Sequence, residues 1–320
     1  MAIRRVRNIY GIPLSRIKAE ISSILGLSGE VSISPFLLNG WSSLNLQGNV
    51  DGHPSFVVKF PKALGHEDFS RLYEIHRALN DQDICPRPLC FGAIEGRNTI
   101  PFFVVEYASG HSYFSPFDIS RHHFGLLRAT LERLASIPVP AVPVYDNPIS
   151  FLESVVNPIN ATISDYRSAV SAGLRSMLHD FELVAEKSRR RLEGMEWVPV
   201  MVHGDLYEQN IVFQSDRAVL LDWEECCVAD RFYDRVYLFV QPFDCSPLPR
   251  THFAREGCPE SHWRILEVLC LLRVTAWSIQ RLLDSEAGLI EAGLTGLHQD
   301  SLVREYIRRK LSLISNALGR

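Results

Sequence analysis

The sequence predicts an α+β fold in which a small antiparallel sheet with one helix precedes a larger, mostly helical region. Strand-like segments separated by turn residues are concentrated between residues 31 and 107. Beyond them apolar residues recur every three or four positions, which is typical of amphipathic helices. Because 320 residues suffice for two hydrophobic cores, we expect one lobe over residues 1–108 and a second over residues 109–320.

The first lobe is predicted to alternate helices with strands. A helical repeat over residues 13–27 ends at two glycines and is followed by strands over 31–38, 44–50 and 56–60. A second amphipathic helix covers residues 66–80, and a further strand covers 101–107. These elements predict a hairpin-rich sheet with a helix packed on it.

The second lobe is predicted to be built mainly from helices. Helical repeats occur over residues 126–137 and 160–194 and again near the C-terminus, over 303–318. The most apolar long stretch, 265–283, contains two arginines, a glutamate and a glutamine, which is too polar for a bilayer span. We therefore expect a buried helix there and no membrane partner.

The chemistry is concentrated in residues 202–222. An apolar run leads into a turn containing Asp205, Asn210 follows five residues later, and after a short strand and a turn a second strand ends at Asp222. Since the strand ends of a hairpin meet, Asn210 and Asp222 are predicted to bind one hard cation, with Asp205 available to accept a proton. The alternative is a hairpin with solvated carboxylates in its turns. That four spaced positions coincide favours the catalytic interpretation.

The pattern His-x-Asp, then Asn, then a strand-end Asp resembles the catalytic and metal-binding loops of the protein-kinase-like superfamily. His-Gly-Asp-Leu at 203–206 and Asp-Trp-Glu at 222–224 resemble its aminoglycoside phosphotransferase and choline kinase family. Residues 228–234 are similar to that family's Gly-Asp-Pro-x-x-Asp stretch, with Arg231 at the usual proline position. The resemblance implies a two-lobe kinase fold, Asp205 as the base, and Mg²⁺ bound by Asn210 and Asp222.

The same resemblance implies a nucleotide site in the first lobe. Gly40, Ser42 and Ser43 are expected over the phosphates of ATP or GTP, with Lys59 reaching their oxygens. The turn lacks Gly-x-Gly-x-x-Gly, so an ordinary hairpin turn stays open as an alternative. The adenine edge is expected at the backbone carbonyl of Glu106 and the N–H of Ala108, although residues 101–107 also fit a core strand without a ligand.

Lys59 lies inside an apolar strand, where its charge needs a partner. By the resemblance, that partner is Glu74 on the predicted helix 66–80. Glu67 on the same helix is the rival candidate, and an exposed helical glutamate is the alternative interpretation of Glu74. The sequence therefore predicts that a carboxylate from this helix positions Lys59.

The acceptor is predicted to be a small-molecule alcohol. Only eleven residues separate Asp222 from Asp234, which leaves no room for the long segment with which protein kinases dock a peptide. Acidic residues between 205 and 260 favour a cationic acceptor such as an aminoglycoside or amino alcohol, while a sugar, nucleoside or macrolide stays possible. A regulatory pseudokinase and a protein kinase are the alternative functions; the intact motif argues against the first and the short segment against the second.

Composition and short motifs argue against several other classes of protein. The net charge of -4 gives no general attraction to nucleic acid or to an anionic membrane. The N-terminus lacks the apolar core of a signal peptide, and the seven cysteines form no Cys-x-x-Cys pair, so we expect a reducing cytoplasm without disulfides or structural zinc. Nothing in the sequence indicates an obligate protein partner.

Overall fold

The computed structural model describes residues 6–38, 43–61, 69–96, 99–138, 142–166, 170–243, 255–286 and 300–319. Its contacts divide the chain into two compact units. The first unit comprises Met1–Gly110, Val139–Ala141 and Val219–Glu224. The second comprises His111–Pro138, Val142–Ala218 and Glu225–Arg320. The segment 219–224, which the sequence places in the second lobe, thus associates with the first unit.

The first unit is built on a five-stranded antiparallel sheet with the strand order β3-β4-β5-β7-β6. Its elements are β1 Asn8–Ile9, β2 Ile12–Pro13, α1 Leu14–Ile24, β3 Val31–Leu38, β4 Ser43–Val50, β5 His53–Pro61, α2 Phe69–Asn80, β6 Pro88–Ile94 and β7 Ile100–Glu106. The predicted strands at 31–38, 44–50, 56–60 and 101–107 correspond to β3, β4, β5 and β7. Lys59 lies on the central strand β5, in register with Asn45 and Phe103.

Helix α2 packs one apolar face in this unit. Its buried residues are Phe69, Leu72, Ile75, His76 and Leu79. They follow the three- and four-residue spacing from which the sequence predicts the helix. The ring of Phe103 on β7 contacts both Phe69 and His76.

Segment 219–224 is fixed to the first unit by backbone and side-chain contacts. The Leu220 N–H donates to the carbonyl of Ile84 at 2.7 Å. The indole of Trp223 is fully buried and donates from Nε1 to the Leu220 carbonyl at 2.9 Å. The buried tryptophan between Asp222 and Glu224 therefore anchors both carboxylates.

The second unit contains six helices and short strands among its described residues. They are α3 Arg121–Leu134, α4 Pro148–Tyr166, α5 Ala172–Leu192, β8 Pro199–Val202, β9 Ile211–Phe213, β10 Ala218–Leu220 (which ends in the first unit), β11 Cys227–Asp230, α6 Tyr233–Val240, α7 Glu260–Glu286 and α8 Asp300–Leu318. The buried helix predicted at 265–283 is α7, which α4, α5, α6 and α8 all contact. Among the described residues no helix combines the length and apolar character needed to span a bilayer.

Strands β8 and β11 form an antiparallel pair that sets up the functional turn. Val202 and Cys227 are partners at one end of the pair, and Pro199 and Asp230 at the other. Both strands are short and apolar, and Val202 and Cys227 are buried. The chain enters its polar turn at His203, directly after β8, from a fixed position.

Candidate active site

Residues 203–210, here called the catalytic turn, are held by the buried carboxylate of Asp234 in the second unit. Its Oδ2 accepts the His203 N–H at 2.7 Å and its Oδ1 accepts the Gly204 N–H at 3.0 Å. Burial raises the pKa of Asp234 to about 6, against the opposing effect of these two N–H donors. Two successive backbone donors on one carboxylate fix the direction in which the chain reaches Asp205.

Gly204 has a backbone conformation that the turn requires. Its φ is +84°, and a Cβ added there would lie 2.0 Å from the Glu225 carbonyl oxygen. The left-handed conformation alone disfavours a side chain, and here the backbone also occupies the space. The glycine of the His-Gly-Asp pattern is thus required by the backbone conformation at position 204 and by the neighbouring Glu225 carbonyl.

Gly204→Ala is expected to destabilise the second unit by several kcal/mol, because it combines left-handed strain with a backbone clash. Gly194 is the matched control, since its φ is +79° but no atom lies within 4 Å of the position that a Cβ would take there. Gly194→Ala should cost about 1–2 kcal/mol. Urea unfolding of both variants measures the difference in stability. Equal losses of unfolding free energy would show that the clash with the Glu225 carbonyl does not contribute.

Asp205 is bound by two side chains of the region around α6. The Tyr237 hydroxyl donates to Asp205 Oδ1 at 2.9 Å, and Gln241 Nε2 lies 3.4 Å from the same oxygen. Asn210 donates from Nδ2 to the Asp205 backbone carbonyl at 3.1 Å. The structure thus brings Asp205 and Asn210 together within one turn.

Asp230 has a structural role in the same unit. It is fully buried, and its carboxylate accepts the N–H groups of Val198 and Phe232 and contacts Nε2 of His262. Arg231, at the position where the resemblance implies a proline, donates its N–H to the Val198 carbonyl at 3.0 Å. A proline has no such donor, so the departure adds a backbone hydrogen bond.

Lys59, Asp222, Glu224 and Ser43 form a second group of polar side chains, here called the lysine cluster, in the first unit. Lys59 Nζ lies 2.5 Å from Asp222 Oδ1 and 3.0 Å from Glu224 Oε1. The Ser43 hydroxyl donates to the same Glu224 oxygen at 2.8 Å. Lys59 is 7% exposed, so its ammonium is compensated almost entirely by these two carboxylates.

The charges in the lysine cluster stabilise one another against burial. Burial opposes the charge of Lys59, but the carboxylates of Asp222 and Glu224 outweigh that effect and raise its pKa. Burial and the neighbouring Glu224 raise the pKa of Asp222 to about 6, while Lys59 opposes the shift. At neutral pH the cluster therefore contains an ammonium and an ionised Asp222.

The backbone of Asp222 lies in the left-handed region, with φ of 68°. This conformation is uncommon for a residue other than glycine, and its cost is of order 1 kcal/mol or more. The burial of Trp223 and the ion pair with Lys59 hold the residue there. The strain accordingly coincides with the carboxylate that the sequence singles out as a metal ligand.

The predicted pairing of Lys59 with Glu74 is corrected by the structure. Glu74 lies on α2 but is half exposed and forms an ion pair with Arg77, one helical turn away, at 2.6 Å. The ammonium of Lys59 instead pairs with Asp222 and Glu224. The rival candidate Glu67 lies outside the described residues.

The other predicted nucleotide-binding residues are only partly described. Gly40 and Ser42 lie outside the described residues, and Ser43 is the first residue of β4. Glu106 is the last residue of β7, paired with Phe56, and Ala108 follows two residues later. Their assignment to the phosphates and the adenine edge stays a prediction.

The donor atoms of Asn210 and Asp222 suit Mg²⁺. Magnesium prefers carboxylate and amide oxygens and is usually held by one or two carboxylates together with substrate phosphates and water. The Asn210 side chain uses Nδ2 for the Asp205 carbonyl, which leaves its amide oxygen as the metal-type donor. No group of three or more His, Cys, Asp or Glu residues in the described part of the chain is arranged as a self-sufficient metal site. A metal that depends on phosphate ligands fits this donor set.

A family model described as "Phosphotransferase enzyme family" matches residues 35–269, which include the catalytic turn and the lysine cluster. The chain belongs to this phosphotransferase family. The match covers well over half of the sequence, from within β3 to within α7. No curated protein sequence gives a significant match.

Solved structures confirm the protein-kinase-like fold of this family member. A choline kinase from Streptococcus pneumoniae is 18% identical with a TM-score of 0.66, over 94% of this chain and 98% of that one. The aminoglycoside phosphotransferase APH(4)-Ia is 12% identical with a TM-score of 0.65, over 93% and 98%. An ethanolamine kinase from Plasmodium vivax is 13% identical with a TM-score of 0.62, over 91% and 82%.

Three residues that contact the predicted site residues are missed by the sequence reasoning. Glu224 binds Lys59 and Ser43, while Tyr237 and Gln241 bind Asp205. Glu224 had a local signal, because it lies two residues after Asp222 in a segment that also carries a buried tryptophan. For Tyr237 and Gln241 the sequence contains no signal beyond their spacing of four residues, which places them on one face of a helix.

Proposed function

We propose that this phosphotransferase transfers the γ-phosphoryl group of ATP, or of GTP, to the hydroxyl of a small-molecule alcohol. The observation that carries the proposal is the Asp205 carboxylate, held by Tyr237 and Gln241 in a turn that Asp234 fixes. A base must be oriented before it can accept a proton at the moment of transfer. Asp205 is bound in this way in a chain whose family transfers phosphoryl groups.

Asp205 takes the proton of the acceptor hydroxyl as the hydroxyl oxygen bonds to the γ-phosphorus. The bond between the γ-phosphorus and the leaving nucleoside diphosphate breaks in the same step. Asn210 and Asp222 would hold Mg²⁺, which would supply positive charge to the phosphate oxygens. Lys59, which lies on β5, binds phosphate oxygens. Glu224, rather than Glu74, keeps the Lys59 side chain in place. We assign Gly40, Ser42 and Ser43 to the phosphates, and the backbone of Glu106 and Ala108 to the adenine.

The acceptor class rests on the short chain between Asp222 and Asp234, which leaves no docking segment for a peptide. The acidic residues near the turn support a cationic acceptor less than the sequence suggests, because most have internal partners. Asp230 and Asp234 bind backbone N–H groups, and Glu225 and Glu256 pair with arginines. Glu208 differs, because its Oε2 is buried without a hydrogen-bond partner among the described residues.

The test is an acceptor screen with Mg²⁺ and either ATP or GTP. Choline, ethanolamine, hygromycin B and a monosaccharide are the first alcohols, since similar structures are named as choline, ethanolamine and aminoglycoside enzymes and one contains ADP with hygromycin B. A phosphorylated alcohol detected by ³¹P NMR supports the proposal. Nucleotide binding without release of ADP or GDP across a broad panel of alcohols would point to a pseudokinase. Incorporation of phosphate into protein would point to a protein kinase.

Removal of the divalent ion is expected to abolish turnover. With EDTA in excess the rate should fall to background, because the phosphate charge is then uncompensated, and Mg²⁺ or Mn²⁺ should restore it. Asn210→Ala should raise the Mg²⁺ concentration needed for half-maximal rate by about tenfold or more, on the scale of losing a group that supports a metal. An unchanged Mg²⁺ dependence in Asn210→Ala would remove that residue from the metal site.

A further inference from the structure

The oxygen Oδ1 of Asp205 ends a chain of three hydrogen-bonded side chains. Gln241 Nε2 donates to the Tyr237 hydroxyl at 2.8 Å, and that hydroxyl donates its only proton to Asp205 Oδ1 at 2.9 Å. Tyr237 and Gln241 are four residues apart and project from one face of the chain around α6. Successive hydrogen bonds of this kind polarise and strengthen one another.

The tyrosine in this chain has a fixed position. Tyr237 is 4% exposed, and its ring stacks on that of Tyr233, with centroids 5.4 Å apart and an interplanar angle of 27°. Burial keeps its hydroxyl protonated by raising its pKa well above the ordinary value, and the nearby Asp205 adds to the shift. A neutral hydroxyl with a rigid ring is a well-oriented donor to an ionised carboxylate.

The C-terminal helix α8 holds the end of α6 at three consecutive carbonyls. Tyr306 donates its hydroxyl to the Gln241 carbonyl at 2.9 Å. Lys310 donates from Nζ to the carbonyls of Val240 and Pro242, each at 2.6 Å. The last carbonyls of a helix have no partner inside it, and a cation there also interacts favourably with the helix dipole.

Lys310 is fully buried, which is costly for an ammonium group. Its two carbonyl contacts, and its position 4.6 Å from the centroid of the Tyr306 ring, offset part of that cost. A buried methionine would fill similar space without the charge. The lysine therefore provides a specific connection between α8 and the residues next to Gln241.

We propose that Tyr237 and Gln241 are positioning residues for Asp205, and that α8 keeps them in place through Tyr306 and Lys310. The inference rests on the proposed role of Asp205 as the base. Tyr237 and Gln241 together fix the rotamer of the carboxylate and stabilise its ionised form. Helix α8, whose contacts with the end of α6 join residues 65 and 70 positions apart, thereby supports the proton transfer.

Tyr237→Phe tests the first part, because it removes one oxygen and keeps the stacked ring. We expect kcat to fall about 10- to 100-fold with KM for nucleotide unchanged, the scale of a misplaced catalytic group. The acidic limb of the pH profile should move to higher pH, since the ionised carboxylate loses a hydrogen bond. Gln241→Leu should also lower kcat. Gln241→Asn should not keep the wild-type activity, because the asparagine side chain is one methylene shorter and its amide does not reach Tyr237. Tyr145→Phe, at a partly exposed tyrosine, is the matched control and should change nothing.

Tyr306→Phe and Lys310→Met test the contribution of α8. Each substitution should lower kcat by about threefold to tenfold. In the Tyr237→Phe/Tyr306→Phe double variant, kcat should fall by less than the product of the two single-variant factors, because both residues act through one connection. Should Lys310→Met fail to fold, Tyr306→Phe decides the question, since it keeps the buried charge. Multiplicative losses would show that α8 acts independently of Asp205.

The readouts are steady-state rates with Mg²⁺ and ATP, using water as the acceptor in slow ATP hydrolysis, together with the thermal unfolding midpoint of every variant. Asp205→Asn is run in parallel. If Asp205→Asn retains the wild-type rate, the base assignment of the proposed function fails. If Asp205→Asn is impaired but Tyr237→Phe and Gln241→Leu keep wild-type rates and pH profiles, the positioning role is overturned and the proposed function stands.

Discussion

Asp205→Asn is expected to lower kcat about 100- to 10,000-fold, the range that a positioned base contributes to proton transfer. The amide has no site that accepts the hydroxyl proton at neutral pH. Its oxygen can still accept the hydrogen bond that Tyr237 now gives to Asp205 Oδ1, so the turn should keep its shape. The loss should therefore appear in kcat, with KM for nucleotide changed little.

The measurement is turnover of the best alcohol from the screen, accompanied by urea unfolding. Asp216→Asn is the matched control, because Asp216 is an exposed aspartate in the turn that follows β9. It should keep full activity. A variant at 205 with near-normal turnover and an unchanged fold would show that the acceptor proton leaves by another route.

The parts of the fold and site that the sequence predicts are those with a local cause. The strands carry β-branched and aromatic residues at regular spacing, and the catalytic turn depends on a glycine that the nearby carbonyl of Glu225 requires. Asp230 and Asp234 belong to the same motif, although backbone groups that they bind lie up to 32 positions away, at Val198, His203 and Gly204. Periodicity and motif spacing are sufficient to find such residues, whereas the groups that they bind are seen only in the structure.

The features that the sequence does not predict depend on pairings between distant positions. The expected partner of Lys59 is on the next helix, where Glu74 has suitable chemistry, but α2 directs its apolar face into the unit and leaves Glu74 with Arg77. The observed partners lie 163 and 165 positions further along the chain. Tyr237 and Gln241 read as ordinary residues of an apolar helix until Asp205, 32 and 36 positions earlier, is placed beside them.

Lys59→Met is expected to abolish measurable phosphoryl transfer and also to destabilise the protein by about 3 kcal/mol at pH 8, the order found when one member of a buried ion pair is removed. Activity is lost because no ammonium is left to bind phosphate oxygens. Stability is lost because the carboxylates of Asp222 and Glu224, with side chains 17% and 20% exposed, then face each other without the ammonium of Lys59. Lys18→Met, at an exposed lysine of α1, is the control and should leave both properties unchanged.

The stability loss in Lys59→Met should depend on pH with a definite sign. In the wild type the pKa of Asp222 is already raised to about 6, and removal of the ammonium that opposes the shift raises it further. The folded variant then keeps a proton on Asp222 at pH values where the folded wild type has already lost it. Its deficit relative to the wild type is therefore largest above the raised pKa of the variant and shrinks as pH falls from there towards about 6, below which both folded proteins carry the proton. Urea unfolding from pH 5 to pH 8 measures the trend.

A second substitution separates the electrostatic cause of this instability from the catalytic role of Lys59. Glu224→Gln in the Lys59→Met background removes one of the two facing carboxylates and keeps its shape, so it should recover part of the lost stability and its pH dependence. It should recover no activity, because the phosphate-binding charge is still missing. If the double variant is no more stable than Lys59→Met at pH 8, repulsion between Asp222 and Glu224 is not the source of the deficit, and lost packing of the lysine side chain becomes the explanation.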